Sequence, residues 1–200
     1  MPPKAQHDRE KIVENALAIA REQGLGALSA RALADRLGCS TSPIYTAFAN
    51  MHELEDLICE RSTRIMLEYQ SQPRTGSPLL DLCLGYVLFA VAEKQLFRDM
   101  FLDRPALSAH SLAMRDLALQ ELLEKVVSRE PALARLDQTA RQELLETLWT
   151  YSHGLAAQYC VGALDPPATP LITARLRRVI DPLLACLPGR LEDGGETPFL

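Results

Sequence analysis

Apolar residues return every three or four positions along nearly the whole chain, and no segment sustains the period of two that a half-buried strand requires. Such a pattern confines the chain to an all-α fold in which amphipathic helices bury their stripes against one another. Ile12, Ala16, Ile19 and Ala20 share one face of a first helix that Gly24 stops as a C-terminal cap. Ser29 caps a second helix whose apolar face is Ala30, Leu33, Ala34 and Leu37, with Leu28 and Leu33 at the positions of a hydrophobic staple. Gly38 ends it, and only Cys39 separates that glycine from a further candidate cap, Ser40. A third helix then runs from about Thr41 to Phe48, with Cys39 and Ile44 again spaced as a staple. Pro43 falls in its first turn, where the missing N–H costs nothing. Asn50 followed by Glu53 opens a fourth helix that continues through Ile58 and Ile65.

A polar break at Gln70 to Pro78 divides the chain into residues 1–50, a connecting helix 51–69, a linker 70–78 and a rear domain 79–187. Arg104-Pro105, Glu130-Pro131 and Asp165-Pro166-Pro167 punctuate the rear domain into helices of about 79–94, 95–103, 106–129, 137–163 and 170–187. The Gly-rich, acidic end, 188–200, is expected to be a disordered tail.

Charge is unevenly shared. The net charge is −5, yet residues 1–50 carry six Lys/Arg against five Asp/Glu, so the acidity belongs to the rear. A locally basic face on an acidic body can still hold phosphates, because screening confines the interaction to about 8 Å at physiological salt. No apolar run reaches a membrane span of about 20 residues. The polar start, Met1 to Glu10, has no signal-peptide core, and a cytoplasmic location is expected. Cys39, Cys59, Cys83, Cys160 and Cys186 are scattered in apolar contexts without a CxxC pair, which suits buried structural thiols.

Two short helices joined by a tight glycine turn have the form of a helix-turn-helix. Ile44 and Phe48 would anchor the third helix inward, leaving Thr41, Ser42, Thr46 and the Tyr45 hydroxyl outward. The caps Ser29 and Ser40, with Arg31, lie where helix N-termini meet a DNA backbone. A helical hairpin inside an ordinary bundle would show the same pattern.

The stretch from Arg9 to Ile58 resembles the N-terminal domain of the TetR/AcrR family of transcriptional regulators. The resemblance rests on Ile12, Ala16, Gly24, Ser29, Leu33-Ala34, Leu37-Gly38, Ser40, Ile44-Tyr45, Phe48 and Glu53-Leu54. It implies that Thr41–Phe48, Pro43 included, enters the major groove of double-stranded operator DNA, and that Tyr45 contacts a phosphate. A lysine usually opens the family's fourth helix. Here Met51 stands there, with His52 as a partial substitute.

The rear resembles family members with a Trp…His-Gly motif, through Trp149-Thr150-Tyr151-Ser152-His153-Gly154-Leu155 and the upstream Phe97-Arg98-Asp99-Met100-Phe101. Trp149 and His153 lie one turn apart on one helix face, which fits either a shared pocket wall or a packed core pair. Gly154 costs a helix about 1 kcal/mol relative to alanine and suggests close approach by another helix. The pocket would lie among helices 79–94, 106–129 and 137–163. Its candidate lining is Tyr86, Phe89, Phe97, Met100, Phe101, His110, Met114, Trp149 and His153, suited to a small, neutral or weakly polar hydrophobic effector.

The resemblance also implies a homodimer joined by a four-helix bundle of the last two long helices. Leu176, Val179, Leu183 and Leu187 are candidates for that interface, although the stripe they form with Ile172 could equally face the chain's own core. Enzyme chemistry is not indicated. His7, His52, His110 and His153 are far apart, and no HExxH, CxxC, Gly-rich phosphate loop or GxSxG elbow occurs, so no catalytic residue, metal or cofactor is assigned. The expectation is therefore a ligand-responsive repressor released from its operator by a hydrophobic effector. The alternative is a helical adaptor of the same fold with weak or no DNA binding.

Overall fold

The local signals near the N-terminus translate directly into structure. In the computed structural model, which describes residues 9–103 and 109–186 (without the side chains of 109–115, 118, 132 and 134), α1 spans Arg9–Gln23, α2 Ala30–Leu37 and α3 Ser42–Ala47. Gly24, at φ +87°, turns α1 into a short 3-10 segment, Leu25–Ala27. The Ser29 hydroxyl accepts from the Ala32 N–H at 3.1 Å and caps α2. Gly38 closes α2 in the left-handed region at φ +66°, a conformation that penalises any side chain with a Cβ. Leu28 and Leu33 are both buried, as a staple requires.

One local expectation fails. Ser40 does not cap α3: Thr41 holds the N-cap position, without a side-chain hydrogen bond, and Ser40 stays in the exposed turn. Pro43 occupies the first turn of α3, so the helix begins on a proline-fixed φ rather than on a hydroxyl cap.

The fourth helix, α4 (Met51–Ser71), is capped by Asn50, whose Oδ1 accepts from Glu53 N–H at 3.0 Å. Glu53 reaches back in return, accepting from the Ala49 N–H at 2.8 Å. This helix is longer than the sequence break suggests, so the true connection is only 72–77. Arg74 ties it down by donating to the Tyr69 and Gln72 carbonyls, and buried Asp81 accepts from the Thr75 N–H and hydroxyl.

Behind it, α5 (Pro78–Ala92) is buried on nearly every side, unlike the one-sided helix its spacing suggests. It is the axis of the rear domain, wrapped by α4, α7 (Ala109–Arg129), α9 (Gln138–Cys160) and α10 (Thr169–Ala185). A helix apolar all round belongs at the centre of a core. The stretch 95–103 proves to be α6 (Lys94–Phe97) running into a π-helical turn at Arg98–Leu102, and α8 (Pro131–Ala134) is a single turn. The expected tail, 188–200, lies outside the described residues.

The result is an all-α molecule: a three-helix head followed by a helical bundle. Among the described residues, no helix is long and apolar enough to cross a membrane, and no group of His, Cys, Asp or Glu could hold a metal ion. Besides α4, the packing of α1 on α6 and two polar contacts among the described residues fasten the head to the bundle. Arg21, at the end of α1, grips Glu93 through both carboxylate oxygens at 2.8 and 3.0 Å. Buried Asp99 accepts from the Leu25 N–H at 2.8 Å.

Cys59, Cys83 and Cys160 are buried, and burial pushes the first two thiols up to about 12 and about 11. The expectation of burial does not extend to Cys186, which is exposed just beyond α10, or to half-buried Cys39.

Candidate nucleic-acid interface and ligand cavity

A helix expected to read DNA has to be pinned from behind, and α3 is held in this way. Ile44 and Phe48 are buried, anchoring it on the head core with Ile12, Leu33 and Leu54. Arg9 lies 4.6 Å over the Phe48 ring and pairs with Glu53 at 3.0 Å, locking the junction of α3 and α4. The Ala49 N–H and then the Arg9 guanidinium hold the Glu53 carboxyl below its ordinary range.

The opposite face of α3 is open. Tyr45 is 56 % exposed, and Ser42 and Thr46 are exposed beside it, with the Thr46 hydroxyl donating back to the Ser42 carbonyl at 2.9 Å. Ser29, Arg31 and Ser40 are exposed, whereas Thr41 and Pro43 are half-buried. His52 is exposed but spends Nδ1 on Glu55 at 3.0 Å. Met51 packs partly against the core.

In the bundle, a cavity lies among the helices expected as walls, while most of the expected lining residues lie elsewhere. A cavity of about 620 Å³ opens between α5, α7 and α9, with Gln70 of α4 also lining it. Its floor is buried and apolar, made of Leu79, Leu82, Cys83 and Leu148, with Leu119, Leu123 and Leu145 half-buried above it. The rim is polar and exposed, with Gln138, Gln142, Glu146 and Trp149.

Of the nine expected lining residues, only Trp149 is there among the described side chains. Tyr86, Phe97, Phe101 and His153 instead pack on one another, with ring centroids 5.1 to 6.2 Å apart. Phe89 is fully buried against Tyr69 and Phe97, and Met100 is buried too. His110 and Met114 have side chains outside the described residues. Aromatic rings offer the most area to bury, and here the interior has taken them. Trp149 joins the two regions: half-exposed at the cavity rim, it stacks on His153 at 5.0 Å and 20°.

Apart from Trp149, the sequence reading names none of the described lining residues, and it gives no role to Gly85 beside the cavity. Gln70 sits in what reads as a linker, and Gly85 gave no signal beyond being a glycine within an apolar helix. A Cβ on Gly85 would collide with the Tyr69 carbonyl oxygen and come within 2.5 Å of the Gln70 Cα. The absence of that atom lets the backbones of α4 and α5 touch beside the cavity.

His153 shares a 2.9 Å hydrogen bond with the Tyr86 hydroxyl, and burial pulls its pKa below the usual 6.5. An unfolded chain takes up this proton first as pH falls. The His153 contribution to stability is therefore complete above about pH 6.5 and is lost as pH drops toward the depressed folded value. Thermal melts from pH 8 to 5 should show a steeper loss for the wild type than for His153→Gln, and parallel profiles would refute this.

The outer face of α9 is uncrowded at Gly154. Among the described residues, a Cβ added to Gly154 would meet nothing within 4 Å, and Thr147, Thr150 and Tyr151 line a shallow groove beside Val179 of α10. The expected interface stripe divides. Leu176 is fully buried and, with Ile172 and Ile180, faces the chain's own core, so it cannot serve as an interface residue in this fold. Val179 and Leu183 are half-buried, and Leu187 lies outside the described residues.

No protein-family model matches the chain, and no curated protein matches it by sequence. Solved structures do match the fold. A Rhodococcus sp. RHA1 protein of unknown function is 20 % identical, with 94 % of this chain and 99 % of that one covered at a TM-score of 0.69. A tetR-family regulatory protein from Rhodococcus RHA1 is 14 % identical, with 92 % and 97 % covered at 0.59. The TetR family protein ActR from Streptomyces coelicolor, solved in complex with actinorhodin, is 21 % identical, with 94 % and 99 % covered at 0.54. The chain thus has the fold of TetR-family regulators.

Proposed function

We propose that this chain is a ligand-responsive transcriptional regulator, a homodimeric repressor that leaves its operator when a small hydrophobic molecule enters the cavity. One observation carries the reading: α4 runs unbroken from the base of the reading helix, at Met51, to the cavity, at Gln70. A ligand that displaces the far end of α4 moves the head at the near end. The exposed face of α3, with Tyr45, Ser42 and Thr46, supplies hydroxyls for bases and phosphates. Several relatives in fold are named as regulators, and ActR was solved with a bound small molecule.

In a dimer, the two heads must match half-sites about 34–36 Å apart, or a multiple of that, so a change in their separation loses the simultaneous grip. A ligand achieves this only by binding the released state better than the DNA-bound one. Coupling of about 5–150-fold is typical and must act equally in both directions.

Trp149 is the chain's single tryptophan and lines the cavity, so its fluorescence reports occupancy. DNA fragments from the protein's own genomic neighbourhood, titrated by anisotropy, identify the operator. A ligand that quenches Trp149 should then bind about 5–150-fold more weakly once operator saturates the protein. An identical dissociation constant with and without operator would sink the mechanism. Failure of every fragment to bind would favour a helical adaptor.

A further inference from the structure

We propose that the cavity selects an uncharged, largely apolar ligand bearing one hydrogen-bonding group, which is read at the buried end by the carboxamide of Gln70. This deepens the effector reading above and rests on it. Gln70 stands in the last turn of α4, where a glutamine ordinarily reaches for water, yet it is only 7 % exposed. Its side chain lines the cavity, and its Oε1 is buried without a hydrogen-bond partner among the described residues.

A buried amide oxygen left unpaired is destabilising, and a leucine at the same place would pack without that cost. The position is also rigid. The backbones of α5 and α4 touch at Gly85 and Gln70, and Arg74 holds the neighbouring Tyr69 carbonyl at 2.6 Å. A fixed, unpaired polar group on an otherwise apolar floor is how a hydrophobic site orients its ligand.

The chemistry of the floor sets the class. Leu79, Leu82 and Leu148 carry no charge, and the Cys83 thiol stays neutral because burial pushes it up to about 11. The charged lining residues, Arg141 and Glu146, oppose each other in sign, and Arg141 already donates to the Leu133 and Leu136 carbonyls. A carboxylate driven to the floor would lose its water without gaining a counter-charge there. The carboxamide offers an oxygen or, after a half-turn, a nitrogen, so an alcohol, an amide or a carbonyl can each pair with it.

The test uses the full-length chain, with decan-1-ol, 1-chlorodecane and decanoate as probes and Trp149 quenching as the readout. Wild type should bind decan-1-ol about tenfold or more tightly than do Gln70→Leu and Gln70→Met, the loss expected for one buried hydrogen bond. All three proteins should bind 1-chlorodecane alike, and wild type should prefer the alcohol to decanoate. Without ligand, both variants should melt at or above the wild-type temperature, because the unpaired amide is gone. A glutamine with a purely structural role would show the opposite.

Equal alcohol affinity in the three proteins, a preference for decanoate, lower melting of both variants, or no saturable quenching would each overturn the assignment. An operator titration with decan-1-ol separates this inference from the functional reading. Gln70-dependent alcohol binding that leaves DNA affinity unchanged would keep the ligand class and remove the regulator. DNA release by a ligand indifferent to Gln70 substitution would do the reverse.

Discussion

Gly85→Ala should lower the melting temperature by about 6–12 °C, although the same substitution in an ordinary helix is stabilising. Alanine is favoured over glycine in a helix interior by about 1 kcal/mol. Here the added carbon would meet backbone, the Tyr69 carbonyl and the Gln70 Cα, which has no rotamer with which to yield. Overpacking costs about 1–3 kcal/mol where side chains can adjust, and more where they cannot. For a chain of this size each kcal/mol corresponds to about 2–4 °C. Because α4 carries the head, the same change should also displace α3 and, under the proposed function, weaken DNA binding. A melting temperature at or above wild type would mean that α4 and α5 do not cross as closely as described.

Gly154→Arg tests the other helical glycine, with the opposite expectation for the fold. Among the described residues, no neighbouring element comes within 4 Å of where its Cβ would be, and an arginine there improves helix propensity. The monomer should keep its helical circular dichroism. If a second copy packs α9 against α9, however, the arginine falls in the contact and the dimer separates. Operator affinity should then fall by about 100-fold or more, because two linked heads bind with an effective concentration that a single head lacks. Sedimentation showing the variant still dimeric at micromolar concentration would remove the outer face of α9 from the interface.

The two glycines show where the sequence stops informing. Both interrupt helices, and only Gly154 reads from the sequence as a site of close approach, yet it is Gly85 that is pressed against backbone, while the Cβ position of Gly154 meets nothing among the described residues. Only the packing of α4 on α5 distinguishes them. The same limit governs the cavity. Its walls follow from the order of the amphipathic helices, but its lining does not, because candidates chosen for being aromatic were drawn into the core as a cluster around His153. Gln70 was lost to the linker because a polar run ordinarily marks a loop. Burial against α5 and the grip of Arg74 on the Tyr69 carbonyl extend the helix through it.

What the residues determine alone is the head. Ser29 bonds to Ala32, Gly38 adopts φ +66°, and Asn50 and Glu53 close the start of α4, all through partners within four positions in the chain. Such interactions form wherever those residues stand in that order, so the helix-turn-helix is legible without its surroundings. Ser40, displaced as a cap by the proline-led turn beginning at Thr41, is a local exception, and the Cys39–Ile44 staple that presupposed it falls with it. Which face of α10 is inner, which glycine is crowded and which glutamine lacks a partner were decided by tertiary structure. Each depends on groups distant in sequence meeting at a fixed separation, and helical periodicity shows that a stripe will be buried without saying against what.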